Sequence, residues 1–211
     1  MWCGFGVSGR RACQHRCDVR DDVAVDEVEA GSALVAAPAL QDLNFRRTVV
    51  LVIEHRAAGT LGVVLNRPRD VPVRDVLPLW GPHATVPQAM YVGGPTDQRA
   101  ALGVAALPAG MDAERTEGVI GVRGSLALVD LDGDPELMAP RLRGLRVFAG
   151  YASWDEGQLA GEIKRGDWIV VPALPDDVLA PPSTDLWGRA LRRQGMPLAL
   201  LATYPADPAL N

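Results

Sequence analysis

Short apolar blocks, punctuated by glycine, proline and charge, run through most of this chain, and they predict strands more often than helices. Residues 33–36 (ALVA) form the first block, which Pro38 ends. Residues 48–54 (TVVLVIE) are almost continuously apolar and β-branched, the pattern of a central strand. Residues 55–59 turn the chain and 61–65 return as a hairpin partner, closed by Asn66-Arg67-Pro68. Residues 73–77 fit one helical turn. Met90-Tyr91-Val92 leads into Gly93-Gly94-Pro95, and 100–107, 118–122 and 125–131 read as strands. Asp134-Pro135-Glu136 has the cap, first-turn proline and early acid of a helix start, expected to run to Arg143. Residues 184–193 predict a last helix stopped at Gly195, after which the apolar run 196–201 reads as a docked strand.

The densest run of unusual residues is 146–173, RVFAGYASWDEGQLAGEIKRGDWIVVPA. It predicts a strand over 146–149, a sharp turn through Gly150 and Trp154, a short helix and a strand from Asp167. Two helix starts fit the spacing: Ser153 answered by Glu156, or Asp155 answered by Gln158. Leu159 and Ile163 give the helix a narrow apolar stripe. Gly157 and Gly161 form a second line without side chains, which predicts close approach to a sheet, and Gly166 is the expected stop.

This run resembles the late signature of the YqgE/AlgH family of bacterial proteins, G-Y-A-G-W-x-x-G-Q-L-E-x-E-I followed by a W-x-V-x-P strand. The matching residues are Gly150, Tyr151, Ala152, Trp154, Gly157, Gln158, Leu159, Glu162, Ile163, Trp168 and Pro172; Ser153 and Ala160 depart from it. An earlier pattern of the family is matched at Pro38, Leu40, Asp42, Phe45, Arg47, Val49, Val50, Glu54, His55, Gly59, Gly62, Val64, Asn66, Arg67 and Pro68. Strands alternating irregularly with a few short helices already indicate α+β. The resemblance, covering residues 31–193, implies a mainly antiparallel, strongly bent sheet resembling an open barrel with short flanking helices.

Composition adjusts this picture in three places. All three cysteines (Cys3, Cys13, Cys17) fall in the first 17 residues, so a disulfide-stapled fold is not expected and cytoplasmic residence is. Residues 1–29, with arginines followed by acids, read as a disordered leader; 30–204 read as one domain and 205–211 as a frayed tail. Cys13, His15 and Cys17 lack the four ligands of a structural zinc site. The first 20 residues hold four arginines and one aspartate, so the remainder carries 17 basic against 25 acidic residues, or −8. That balance, with no helix-turn-helix pattern, argues against direct DNA binding, and no apolar run is long enough to span a membrane.

Candidate chemistry is sparse. His55 follows Glu54 at a strand end, but without a third ligand it reads better as a hydrogen-bonded structural histidine than as a metal ligand. Gly93-Gly94-Pro95 lacks the spacing and lysine of a phosphate loop and reads as a tight turn. Asp130-Leu131-Asp132-Gly133-Asp134 fails the later positions of a calcium loop. No nucleophile elbow occurs. The expected function is therefore a non-catalytic binding or interaction protein with a protein or small-molecule partner and no metal or cofactor. The binding residues would be His55, Asn66, Gly93, Gly94, Tyr151, Trp154, Gln158 and Glu162. An enzyme would need Glu54, His55, Asn66 and Glu162 to converge in one cleft. A transcriptional regulator, the label the family often carries, would act through a partner. The binding reading carries one geometric expectation: Asn66, Tyr151, Trp154 and Gln158 border a shared concavity with Gly93-Gly94 on its rim.

Overall fold

The computed structural model describes residues 28–205; most of the leader, including its cysteines and His15, and residues 206–211 lie outside the described residues. The strands are β1 (Ser32–Ala36), β2 (Val49–Arg56), β3 (Gly59–Val64), β4 (Pro68–Pro72), β5 (Ala89–Val92), β6 (Thr96–Ala106), β7 (Val119–Arg123), β8 (Leu126–Val129), β9 (Gly144–Asp155) and β10 (Trp168–Pro172). Helices α1 (Val73–Val76), α2 (Pro135–Met138), α3 (Gln158–Arg165), α4 (Pro175–Val178), α5 (Leu186–Arg192) and α6 (Leu198–Leu201) are short. One curled sheet runs in the order β10-β1-β2-β3-β9-β6-β8-β7, with β4 and β5 attached beside β9. The observed strand pairs are antiparallel except β5 with β9. This is the α+β, strongly bent half-barrel that the sequence led us to expect.

Both faces of the sheet are buried. Ala33, Val35, Val49, Leu51, Val63 and Phe148 meet Trp187, Ala190 and Leu191 of α5 on the inner face. On the outer face, Leu34, Val50, Val52 and Val64 pack with Trp154, Leu159 of α3 and Trp168. A separate outer cluster, Val73, Trp80, Ala105, Met138, Leu145 and Val147, lies under α1 and α2. This two-sided burial explains the near-continuous apolar runs of β1 and β2.

β9 is the spine of the fold and differs from the sequence expectation. There is no sharp turn at Gly150; the strand continues to Asp155. Gly150 instead adopts φ 70°, within a break in the β6–β9 register. Before it Leu145 and Val147 face the outer cluster and Phe148 faces inward; after it Tyr151 packs inward and Ala152 and Trp154 face outward. The irregularity inverts the alternation, as a β-bulge does.

The same point carries a crossing. β5 pairs with β9 on one side of β9 and β6 on the other, so Gly93-Gly94-Pro95 must pass over β9 at Gly150. Cβ atoms built at Gly93 and Gly94 would stand 2.1 Å from the Gly150 oxygen and 2.2 Å from Tyr151 backbone atoms. Only glycine fits both chains at that approach.

Four smaller expectations are corrected. α3 starts after Gly157, at φ 70°, and not at either predicted cap, although the Asp155 N–H does donate to Gln158 Oε1 at 3.1 Å. Gly157 and Gly161 do not face the sheet: a Cβ at Gly157 would meet nothing within 4 Å, and one at Gly161 only the Arg165 guanidinium at 3.8 Å. The helix capped by Asp134 stops at Met138, because Pro140 allows only a 3₁₀ turn beyond it. The run 196–201 holds α6 (Leu198–Leu201), not a strand, since a short apolar run does not distinguish the two.

The free edges of the sheet, β10 and β7, approach one another. Arg123 at the end of β7 pairs with Glu29 and packs over Gly31, and Val28 joins the outer cluster, so the packed structure begins before residue 30.

Candidate functional site

The sequence-predicted residues fall in several places. His55 is exposed near the tip of the β2–β3 hairpin, its Nδ1 2.7 Å from Thr60 Oγ1. Thr60 pairs with Trp154 across the β3–β9 ladder. Trp154, Gln158 and Glu162 do meet. Glu162 Oε2 accepts from the indole N–H groups of Trp154 (2.9 Å) and Trp168 (2.8 Å), and Oε1 accepts from Gln158 Nε2 (2.9 Å). Phe45 stacks on Trp154 with centroids 5.9 Å apart. The carboxylate is thus the hydrogen-bonded hub of an aromatic cluster on the outer face. Asn66 lies two residues past the end of β3 and six residues from Thr60, roughly 20 Å at about 3.3 Å per extended residue. Glu54, His55, Asn66 and Glu162 therefore do not converge in one cleft, and Asn66, Trp154 and Gln158 do not border one concavity. Gly93 and Gly94 belong to the crossing.

Asn66 instead leads to a cavity of about 170 Å³ on the inner-face side, between the end of β3, Tyr91 of β5 and the loop joining α4 to α5. Arg47, also a lining residue, has φ 54°, a conformation rarely adopted outside glycine. The Asn66 side chain holds it there: Nδ2 donates to the Arg47 carbonyl at 2.9 Å and Oδ1 accepts from the Val49 N–H at 3.1 Å. The Arg47 guanidinium lies 4.0 Å from the Trp187 ring centroid, a cation–π stack, and donates to the Tyr204 carbonyl. The Trp187 indole is anchored by donation to the Ala36 carbonyl at 2.7 Å.

Behind Tyr91 sits Arg146, 2% exposed. It donates to the carbonyls of Val178 (2.8 Å), Leu179 (3.1 Å) and Ala180 (2.8 Å), and to Tyr91 Oη at 2.5 Å. These carbonyls close the C-terminal end of α4 and partly compensate the cation. Among the described residues neither Arg146 nor Arg47 pairs with a carboxylate. Burying such a charge costs several kcal/mol. Burial lowers the Arg146 pKa from its ordinary value, opposed by the Tyr91 contact, and burial raises that of Tyr91, opposed by Arg146. The wall carrying these carbonyls is fixed by buried Asp177, which accepts from the Leu174 N–H and from Arg189 and Arg193 of the α5 segment.

Of this site the sequence pointed only to Asn66. Arg146 carried a readable signal, a lone charge inside the apolar run 145–149; Tyr91 and Trp187 carried none, because the cavity joins four distant segments.

The comparisons with known proteins place the chain. The model of the AlgH-like family matches residues 33–199. A UPF0301 protein of Mycobacterium ulcerans is 51% identical over 196 residues, covering 92% of this chain and 98% of that protein. One from Rhodococcus opacus is 52% identical over 184 residues, covering 87% and 92%. A crystal structure from Corynebacterium diphtheriae superposes with a TM-score of 0.82 at 47% identity, over 84% of this chain and 93% of that one. The solution structure of AlgH from Pseudomonas aeruginosa gives 0.60 at 28% identity, over 82% and 93%. Among the described residues no helix is long and apolar enough to cross a membrane. On sequence and fold together, this chain belongs to the AlgH-like family.

Proposed function

We propose that this chain is a non-catalytic binding protein of the cytoplasm that holds a small molecule in the cavity beside Arg47. The observation that carries this reading is the backbone of Arg47. A non-glycine residue at φ 54° costs of order 1–3 kcal/mol, and such strain persists where the surroundings over-determine it, commonly at ligand sites. Here Asn66 and Trp187 hold the strained residue and aim its side chain along a cavity wall. The acid–base candidates support the absence of catalysis: His55 is exposed on Thr60, and the Glu162 oxygens are taken up by two indoles and an amide. A regulatory role would then be exercised through the bound molecule or a protein partner.

Native mass spectrometry of the protein purified from its own host tests the proposal. A retained small molecule lost from Arg47→Ala is expected. Retention unchanged in Arg47→Ala, or conversion of the retained molecule on prolonged incubation, refutes it.

A further inference from the structure

We infer that this cavity takes a small oxyanion, the phosphate or carboxylate group of a metabolite, received by the Arg47 guanidinium and the Tyr91 hydroxyl with the buried Arg146 cation behind them. The inference rests on the binding reading above and adds the chemistry of the ligand.

Hydrogen-bond accounting carries it. A guanidinium can only donate, so the Tyr91 oxygen is the acceptor in its 2.5 Å contact with Arg146 Nη1. The hydroxyl's own hydrogen then needs another acceptor. None of the described residues supplies one, although Tyr91 is 1% exposed and lines the cavity. A buried donor on a residue that lines a cavity calls for an acceptor inside it. Among the described residues Arg47 makes one side-chain hydrogen bond, to the Tyr204 carbonyl, and most of its donor fork is not used by them.

Charge points the same way. Two arginines without carboxylate partners among the described residues lie at this site, Arg47 on the cavity wall and Arg146 behind Tyr91, the latter out of reach of solvent screening. Asp185 also lines the cavity, but its oxygens accept from the Gly188 N–H (2.9 Å) and Arg192 Nη2 (3.1 Å), so its charge is already answered. About 170 Å³ suits an anionic group with a small carrier and excludes a polymer.

The full chain is titrated with sodium phosphate and, separately, sodium acetate, with sodium chloride holding ionic strength constant. Tryptophan fluorescence and melting temperature are the readouts. A saturable response to phosphate, acetate or both is expected, and the responding arm identifies the group. Arg47→Gln should weaken it at least tenfold, while Arg56→Gln, an exposed charge at the hairpin tip, leaves it unchanged. Thr184→Val, which keeps its shape on the cavity wall, should weaken it about threefold and serves if Arg47→Gln does not fold. No saturable response, or equal weakening by Arg56→Gln, overturns the oxyanion site and leaves the binding reading standing. Incubation with glycerol phosphate followed by phosphorus NMR separates the two claims: release of inorganic phosphate overturns the non-catalytic reading and leaves the oxyanion site intact.

Discussion

Replacing Gly94 by alanine tests the crossing at the centre of the fold. The added Cβ would sit 2.2 Å from the Tyr151 carbonyl carbon and oxygen and 2.4 Å from the Ala152 nitrogen. All three are backbone atoms, so no rotamer relieves the contact, and the two chains must part by about 1 Å to reach ordinary packing distance. Overpacking of that kind costs about 1–3 kcal/mol. Parting the chains also stretches the flanking bonds, Gly93 N–H to Ala149 O at 2.9 Å and Val64 N–H to Gly93 O at 2.8 Å, each worth about 0.5–1.5 kcal/mol net. The expected loss is about 2–6 kcal/mol, a large fraction of the roughly 5–15 kcal/mol typical of a folded domain. Urea denaturation followed by tryptophan fluorescence measures it. At a slope of roughly 2 kcal/mol/M the midpoint falls by about 2 M with little change in slope. A Gly94→Ala midpoint within about 0.3 M of wild type would refute the reasoning, because it would mean the crossing is loose.

Gly161→Ala should raise stability by about 0.5–1 kcal/mol, since the new methyl meets nothing nearer than 3.8 Å and the helix loses its most flexible residue; a lower urea midpoint would show that α3 approaches the sheet there after all. Glu162→Gln should cost about 1–3 kcal/mol, because an amide cannot offer acceptors to both indoles and to Gln158 at once; an unchanged midpoint would mean the hub is dispensable. Asn66→Ala should cost about 1–3 kcal/mol through the bonds that hold Arg47, and the Arg47 amide signal should shift in NMR spectra; an unmoved signal would show the loop is held elsewhere. Tyr91 is raised above 10.0 by burial, so the stability it contributes as a neutral phenol is complete below pH 10 and lost as pH climbs through the raised value; the stability gap between wild type and Tyr91→Phe should narrow above pH 10, and a gap widening there would reverse the sign.

Periodicity disclosed most of the sheet. The β2–β3 hairpin, β10 and the Asp185-capped α5 follow from apolar runs and turn residues that act locally. β4 leaves no strand signal in the sequence, because Pro68, Arg69, Asp70 and Pro72 look like a loop; it forms as a short attachment to β5. At Gly150 a glycine between aromatics signals a turn as readily as a bulge, and only the partner strand decides. Within the site, Asn66 was legible from its place after a strand. The link from Asn66 to Arg47, and from Arg146 to the end of α4, spans 19 and 32 residues, beyond the reach of any local pattern. Gly93-Gly94, which read as a tight turn, and Gly150-Tyr151, part of the family signature, are two halves of one steric fit.

The approach of β7 to β1 and β10 bears on how this protein misassembles. An open sheet has two rims whose unpaired amides can recruit a strand from another molecule. Here the contact visible between the rims is a solvent-exposed pair, Arg123 with Glu29, over Gly31, a left-handed glycine. An exposed pair of that kind contributes about 0–1 kcal/mol and weakens with salt. Breathing should therefore begin at this seam, well before the core melts, and would bare both rims together. Aggregation kinetics that quicken with ionic strength while the melting temperature holds steady would be the outward sign of a barrel that opens like a clasp.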